Sequence, residues 1–200
     1  SEDAPHADRL AQAGGLEAFL DELRKQTSSE LLAGGYAERR SFYHQRAAQY
    51  RGANPRNLHL GIDLWLPAGT PVFAPLPGRI HSLADNAQPG DYGPTIILEH
   101  MILEHRFWSL YGHLSRGSLI FQEGDSLAGG EQLGNLGTPV DNGEWPPHLH
   151  FQLIRNIGNR RGDFPGVAAA NEAEAWLARC PDPNLLLGMI LQSADSFAAG

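Results

Sequence analysis

The chain has 200 residues, of which 42% are hydrophobic, with 23 glycines and 14 prolines, and this composition predicts one β-rich globular domain with a small appendage. The formal charge of −8 argues against nucleic-acid binding, which needs a basic surface. No apolar run reaches the roughly eighteen residues that a membrane-spanning helix requires. Lys25 is the only lysine and Cys180 the only cysteine, which excludes most lysine chemistry and any intramolecular disulfide.

The amino-terminal quarter predicts a helical extension over residues 1–50. Leu16, Phe19, Leu20 and Leu23 recur at helical spacing between charged residues, which indicates an amphipathic helix over residues 15–26. The first residues lack a charged region followed by an apolar one, so no signal peptide is predicted in this sequence. The compartment therefore stays open at this stage.

Short segments rich in Val, Ile and Leu, separated by Pro and Gly, follow from residue 54 onward and predict β-strands. We expect two strands around a turn within residues 71–80, strands over 93–100 and 106–114, and two short strands within 118–137. Residues 51–155 would then form the core domain. Residues 156–200 would be a carboxy-terminal loop with helices packed on that core, and the Gly- and Arg-rich part of the loop either borders a groove or decorates the surface.

The stretch His-Leu-Gly-Ile-Asp at residues 59–63 is a candidate half of a metal site. Side chains alternate between the two faces of an extended strand, so His59, Gly61 and Asp63 would share one face and the flanking aliphatic residues the other. The apolar face can then be buried while an imidazole and a carboxylate face a groove.

The stretch His-Leu-His-Phe-Gln at residues 148–152 repeats this pattern, with His148, His150 and Gln152 on one face. Two such strands side by side could offer two histidines and an aspartate to one ion. Nitrogen and oxygen ligands of this kind suit zinc with an open fourth position.

Four sequence blocks together resemble a known family. They are His-x-Gly-x-Asp at 59–63, Ala-Gly-Thr-Pro-Val-Phe-Ala-Pro at 68–75, Leu-Tyr-Gly-His-Leu at 110–114 and His-Leu-His-Phe at 148–151. In this order, over about half of the chain, they are similar to the lysostaphin/LytM-type zinc metallopeptidases, the M23 peptidases. The resemblance implies a mainly β (α+β) fold: an antiparallel β-sheet groove of the LytM/duplicated-hybrid-motif type, with flanking helices at both ends.

The same resemblance implies one Zn²⁺ ion held by His59, Asp63 and His150, with His113 and His148 as catalytic histidines. Such a site hydrolyses peptide bonds through a zinc-activated water. One histidine would act as general base and the other as a charged or hydrogen-bonding stabiliser, and the sequence leaves open which does which. Tyr111 would share the face of His113, either as a substrate-binding donor to the oxyanion or as an ordinary packed strand tyrosine.

The implied substrate is a peptide of bacterial peptidoglycan, either a stem or a cross-bridge, which would place the protein in the periplasm or outside the cell. Residues 34–39, 163–167 and 180–184 also resemble a subgroup in which the peptidase-like domain neighbours a class III aminotransferase-like domain. The alternative that this likeness implies is a cytoplasmic hydrolase of another small peptide or amide, linked to an aminotransferase-like partner. The oligomeric state stays open.

Three other interpretations compete with a peptidase. A catalytically silent, zinc-retaining binding or regulatory domain would keep the metal ligands without turnover. A biotinyl- or lipoyl-type carrier module is suggested by residues 69–80, but it needs a lysine at a hairpin tip and Lys25 lies in the predicted helix. A cupin-like site shares the His-x-His element but would bring other ligands and iron.

Overall fold

The computed structural model describes residues 14–40 and 54–188. The strands are β1 Leu32–Gly34, β2 Arg56–His59, β3 Ile62–Trp65, β4 Pro71–Phe73, β5 Gly78–Asn86, β6 Gly93–Ile102, β7 His105–Gly112, β8 Ser126–Leu127, β9 Gln132–Asn135, β10 His148–Ile154 and β11 Val167–Ala169. The α-helices are α1 Gly15–Thr27, α2 Ala173–Arg179 and α3 Asn184–Leu187. Residues 1–13, 41–50 and 189–200 of the predicted extensions, and residues 51–53 of the predicted core domain, lie outside the described residues.

A seven-stranded antiparallel sheet forms the centre of the molecule, in the order β1-β3-β10-β7-β6-β5-β8. Two separate two-stranded ribbons accompany it, β4 with β9 and β2 with β11. The predicted fold class, mainly β with an antiparallel sheet and few helices, is confirmed. In this sheet His150 lies opposite Asp63 on one side and Gly112 on the other.

Each face of the sheet carries its own hydrophobic cluster because side chains alternate along the strands. Phe151 and Leu153 of β10 pack on one face with Tyr111 and with residues of the β4–β9 ribbon. Ile154 packs on the opposite face, where the β2–β11 ribbon and helix α2 cover the sheet. The metal-site face of β10, with His148, His150 and Gln152, belongs to this second side.

The amphipathic helix predicted for residues 15–26 is confirmed as α1. Its buried residues Leu16 and Leu20 pack against Trp65 and Trp145, which are the tryptophans next to the candidate site. No helix within residues 14–40 and 54–188 is long and apolar enough to cross a membrane.

The structure corrects two local expectations. Residues 59–63 are not one continuous strand, because β2 ends at His59 and β3 begins at Ile62 in a different sheet. The strand predicted over residues 106–114 ends at Gly112, and His113 takes a left-handed backbone conformation with φ of 63°. Both departures redirect a histidine toward the site.

Candidate metal centre

Three predicted side chains, His59, Asp63 and His150, converge in the structure as a group able to hold a metal ion. His59 Nε2 lies 3.1 Å from His150 Nδ1 and 3.2 Å from Asp63 Oδ1, and His150 Nδ1 lies 2.9 Å from Asp63 Oδ1. Tetrahedral zinc with ligand bonds of about 2.0–2.2 Å separates neighbouring ligand atoms by roughly 3.3 Å. Two imidazole nitrogens and one carboxylate oxygen at this spacing fit such an ion with little adjustment.

The break between β2 and β3 brings His59 and Asp63 to the same point. His59 ends the β2–β11 ribbon, while Asp63 lies in the main sheet beside His150. Gly61 at the crossing has no side chain, and a Cβ there would lie 2.7 Å from both the His150 ring and the Phe151 carbonyl oxygen. Glycine is therefore required where the two sheets meet at the site.

Each of the three residues has a partner of its own that fixes its orientation. His59 Nδ1 donates to the Gly35 carbonyl oxygen at 3.0 Å, which leaves Nε2 for the metal. Arg40 Nη1 donates to Asp63 Oδ2 at 2.5 Å, which leaves Oδ1 for the metal. The Nε2 atom of His150 lies 2.9 Å from Gln152 Oε1.

Arg40 and Asp63 form a buried ion pair, with side chains only 3% and 4% exposed. Burial alone would raise the pKa of Asp63, but the neighbouring His59 and the positive charge of Arg40 hold it well below its ordinary value. Asp63 is therefore an anion at neutral pH, the form in which a carboxylate binds a metal.

Removing one partner of such a pair leaves a buried charge without compensation. Arg40→Met is therefore expected to lower the free energy of unfolding of the metal-free protein by about 3 kcal/mol or more. Urea denaturation in the presence of a chelator measures this change. Arg24→Met is the matched control, because Arg24 pairs with Asp21 on an exposed face and such pairs contribute at most about 1 kcal/mol. Equal losses in the two variants would contradict a buried charge pair.

His148 and His113 lie beside the three converging residues. His148 Nε2 is 3.9 Å from Asp63 Oδ1, and the rings of His148 and His113 are 4.1 Å apart between centroids. Each Nδ1 faces a backbone carbonyl oxygen, that of Pro146 at 2.7 Å and that of Asn142 at 2.9 Å. In the neutral state both rings therefore carry their proton on Nδ1 and present a bare Nε2.

Burial keeps both rings neutral. It lowers the pKa of His148 to about 4 and, together with the neighbouring His148, lowers the pKa of His113 well below its ordinary value. Both Nε2 atoms are thus proton acceptors at neutral pH.

Tyr111 does not share the site with His113, contrary to the expectation from strand alternation. It packs against Phe151 on the opposite face of the sheet, with its hydroxyl 3.0 Å from Ser109 Oγ. The left-handed backbone at His113 turns that histidine away from the face of Tyr111. The substrate-binding role of Tyr111 is therefore withdrawn.

Tyr92 is the tyrosine that does line the site, and it was missed from the sequence. The centroid of its ring lies 5.6 Å from that of His113 and 5.0 Å from that of His150. Its backbone carbonyl oxygen accepts a hydrogen bond from the His113 backbone N–H at 2.8 Å. Arg40 and Gln152 also went unassigned. Gln152 could have been found, because it shares the polar face of β10 with both histidines, whereas Tyr92 and Arg40 carry no such signal.

A cavity of about 260 Å³ opens over the converging residues. Its walls are largely aromatic, from Trp65, Tyr92, Trp145 and Phe164, and Leu16 of helix α1 contributes a further apolar wall. Arg160, Asp163 and Pro165 also line it, so the loop after β10 borders a groove, the first of the two alternatives for this segment.

The buried histidines predict how stability depends on pH. The pKa values of His59, His100, His113 and His148 are all lowered, in each case mainly by burial. Below about pH 6.5 the unfolded chain therefore binds more protons than the folded one. Stability should be constant above that pH and fall below it, by up to about 1.4 kcal/mol per pH unit for each histidine.

Urea denaturation of the metal-free protein at pH 8, 7, 6 and 5 measures this dependence. Asp63 does not contribute in this range, because a carboxylate with a lowered pKa loses its stabilising effect only below about pH 3.8. His100 lies away from the candidate metal site, and His100→Gln should reduce the slope of the free energy of unfolding against pH by the contribution of one histidine. A free energy of unfolding that stays level down to pH 5 would contradict the burial of neutral histidines.

The model of peptidase family M23 matches residues 57–161, which is more than half of the chain. The chain belongs to peptidase family M23. All five predicted metal-binding and catalytic positions lie inside the matched residues, whereas Gly35 and Arg40 precede them.

Curated proteins similar to this M23 chain share its central part. A protein named DD-carboxypeptidase/endopeptidase Mpg from Neisseria meningitidis serogroup B is 36% identical over 100 residues, 50% of this chain and 20% of the relative. An uncharacterized metalloprotease of Haemophilus influenzae is 32% identical over 99 residues, 49% of this chain and 19% of the relative. The peptidoglycan DD-endopeptidase ShyA of Vibrio cholerae is 25% identical over 122 residues, 58% of this chain and 25% of the relative. The match thus spans about a fifth to a quarter of these relatives.

Solved structures of M23 domains are also similar. The catalytic domain of lysostaphin from Staphylococcus simulans is 21% identical, with a TM-score of 0.46, over 76% of this chain and 96% of that one. The catalytic domain of the prophage-encoded M23 protein EnpA from Enterococcus faecalis is 26% identical, with a TM-score of 0.42, over 60% of this chain and 90% of that one.

Proposed function

We propose that this M23 chain is a zinc-dependent endopeptidase that hydrolyses peptide bonds in peptidoglycan. The observation that supports this most directly is the convergence of His59 Nε2, Asp63 Oδ1 and His150 Nδ1, with the bare Nε2 of His148 beside them. This donor set suits zinc, and three protein ligands leave one position open.

Bound zinc would supply a water of lowered pKa and polarise the scissile carbonyl. We assign to His148 the role of taking the proton of the attacking water, and this is supported by the 3.9 Å distance from its Nε2 to Oδ1 of Asp63. The same proton then passes to the leaving amine, which completes the hydrolysis without a covalent enzyme intermediate.

We assign to His113 the role of stabilising the negative charge that develops on the carbonyl oxygen. Its ring lies beside His148, and its bare Nε2 can take up a proton from the solvent in the cavity when negative charge builds up there, and can then donate a hydrogen bond to that charge. Two neutral imidazoles side by side thus provide one proton acceptor and one group that becomes a donor during the reaction.

The substrate assignment comes from the relatives and from the shape of the site. Mpg and ShyA bear names that describe carboxypeptidase or endopeptidase activity, and ShyA is named for peptidoglycan. The aromatic walls from Trp65, Trp145 and Phe164 provide flat apolar contacts for an extended peptide. A stem or cross-bridge peptide is therefore the proposed substrate.

The test combines metal content with turnover. Protein purified without added metal is assayed by mass spectrometry for bound ions, and release of peptides from purified peptidoglycan is followed with and without a chelator. One zinc per chain with chelator-sensitive release that returns on adding zinc is the expected result. Zinc without release would favour a binding domain or another peptide substrate, and absence of bound zinc would contradict the proposed cofactor.

A further inference from the structure

Gln152 is a fully buried amide that contacts both His150 and the segment after the family-matched residues. Its Oε1 lies 2.9 Å from His150 Nε2, and its Nε2 lies 3.1 Å from the Pro165 carbonyl oxygen and 3.4 Å from Cys180 Sγ. All polar atoms of this side chain therefore have partners.

These contacts determine which way the amide points. The Pro165 carbonyl can only accept a hydrogen bond, so the NH₂ group of Gln152 must face it. The amide oxygen then faces His150, and because that oxygen can only accept, His150 must carry its proton on Nε2. The other ring nitrogen, Nδ1, is left bare, and it is the atom 2.9 Å from Asp63 Oδ1 and 3.1 Å from His59 Nε2.

We propose that Gln152, held by the Pro165 carbonyl oxygen, is a positioning residue that selects Nδ1 of His150 as the metal ligand. This inference rests on the proposed metal centre. Without Gln152 the ring would be free to hold its proton on Nδ1, the atom that must be bare to bind an ion. The proposal makes the segment after residue 161 part of the metal centre, although it lies outside the family-matched residues.

Tyr92 is the competing partner for the same nitrogen. Its hydroxyl lies 3.4 Å from His150 Nε2, at the long end of hydrogen-bond distances, whereas Gln152 lies at an ordinary distance of 2.9 Å. The contact of Gln152 with His150 is the shorter of the two, and the Pro165 carbonyl oxygen fixes the amide from its other end. The positioning role is therefore assigned to Gln152.

The test measures zinc affinity by competition with a chromophoric chelator, together with the His150 tautomer from ring ¹⁵N chemical shifts of the metal-free protein. Gln152→Met keeps the length of the side chain but removes the acceptor, and it is expected to weaken zinc binding by about 10- to 100-fold and to release the tautomer. Gln152→Glu keeps an acceptor oxygen and is expected to bind zinc more tightly than the Met variant.

Cys180→Ala is the matched control, because it removes a weak acceptor and leaves the Pro165 contact in place, and it should bind zinc as the unaltered protein does. Unchanged zinc affinity in Gln152→Met would overturn the proposal. A loss of affinity with an unchanged tautomer would also overturn it, since packing would then be the cause. Neither readout involves turnover, so a protein that cleaves no peptide would refute the proposed function and leave this test intact.

Discussion

His148→Ala is expected to keep zinc bound while lowering kcat by about 10²- to 10⁴-fold, the range that removal of a general base produces. His148 is not one of the three residues that converge as candidate metal ligands, and its Nδ1 donates to the Pro146 carbonyl oxygen. Loss of its imidazole should therefore not displace the ion. Metal content and steady-state peptide release, measured on the same preparation, check both parts of the expectation.

His113→Ala should behave in the same way, because its ring also stands outside the metal-binding group. The control is His105→Ala, which removes an exposed histidine from the start of β7 and should leave kcat unchanged. Full activity in the His113 variant would remove that residue from the mechanism. Loss of zinc from the His148 variant would instead indicate that it belongs to the metal-binding set.

His59→Ala is expected to weaken zinc binding enough for a chelator to remove the ion, and turnover should be lost with it. Protein zinc sites bind with free energies of about 10 kcal/mol or more, so one of three protein ligands accounts for roughly 3 kcal/mol, a factor of about 10² in affinity. Zinc content after dialysis against a weak chelator measures the loss. His59 is better suited to this test than Asp63, because removing Asp63 would also take away the buried carboxylate with which Arg40 pairs.

The distinguishing control for His59→Ala is Leu58→Ala, a change in the same strand that opens space in the hydrophobic cluster behind the ribbon. That change should lower the free energy of unfolding by about 2 kcal/mol or more without removing a ligand. If both variants lost zinc to the same extent, distortion of the ribbon rather than loss of a ligand would explain the result.

The strands, and the grouping of polar side chains on one face of β10, could be predicted from the sequence. Alternation of polar and apolar side chains along residues 148–154 requires one buried and one functional face, and the structure places His148, His150 and Gln152 together as that rule demands. The helix at residues 15–26 could be predicted because its apolar residues recur at a spacing that puts them on one face of a helix, where they can be buried together.

The sequence did not predict the positions at which the backbone departs from regular strand geometry. The crossing at Gly61 and the left-handed turn at His113 depend on contacts with residues far along the chain, the His150 ring for one and the Tyr92 carbonyl for the other. Strand alternation therefore placed Tyr111 wrongly and gave no reason to suspect Tyr92.

The residues that orient the metal-binding group were hidden for a related reason. Arg40 reaches Asp63 across 23 positions of sequence, and Pro165 reaches Gln152 across 13. Neither contact belongs to a spacing motif, because both arise from segments that fold back over the sheet.

The division of the three converging residues between two β-structures has a thermodynamic consequence. His59 belongs to the β2–β11 ribbon, whereas Asp63 and His150 belong to the main sheet, so an ion bound by all three would cross-link the two through side chains as well as through the short link at Gly61. Mass action then couples the docking of the ribbon to the free ion concentration, adding about 2.7 kcal/mol of stability at a hundredfold excess over Kd. In a medium poor in metal, the ribbon would lose this link to the sheet and would separate from it more readily.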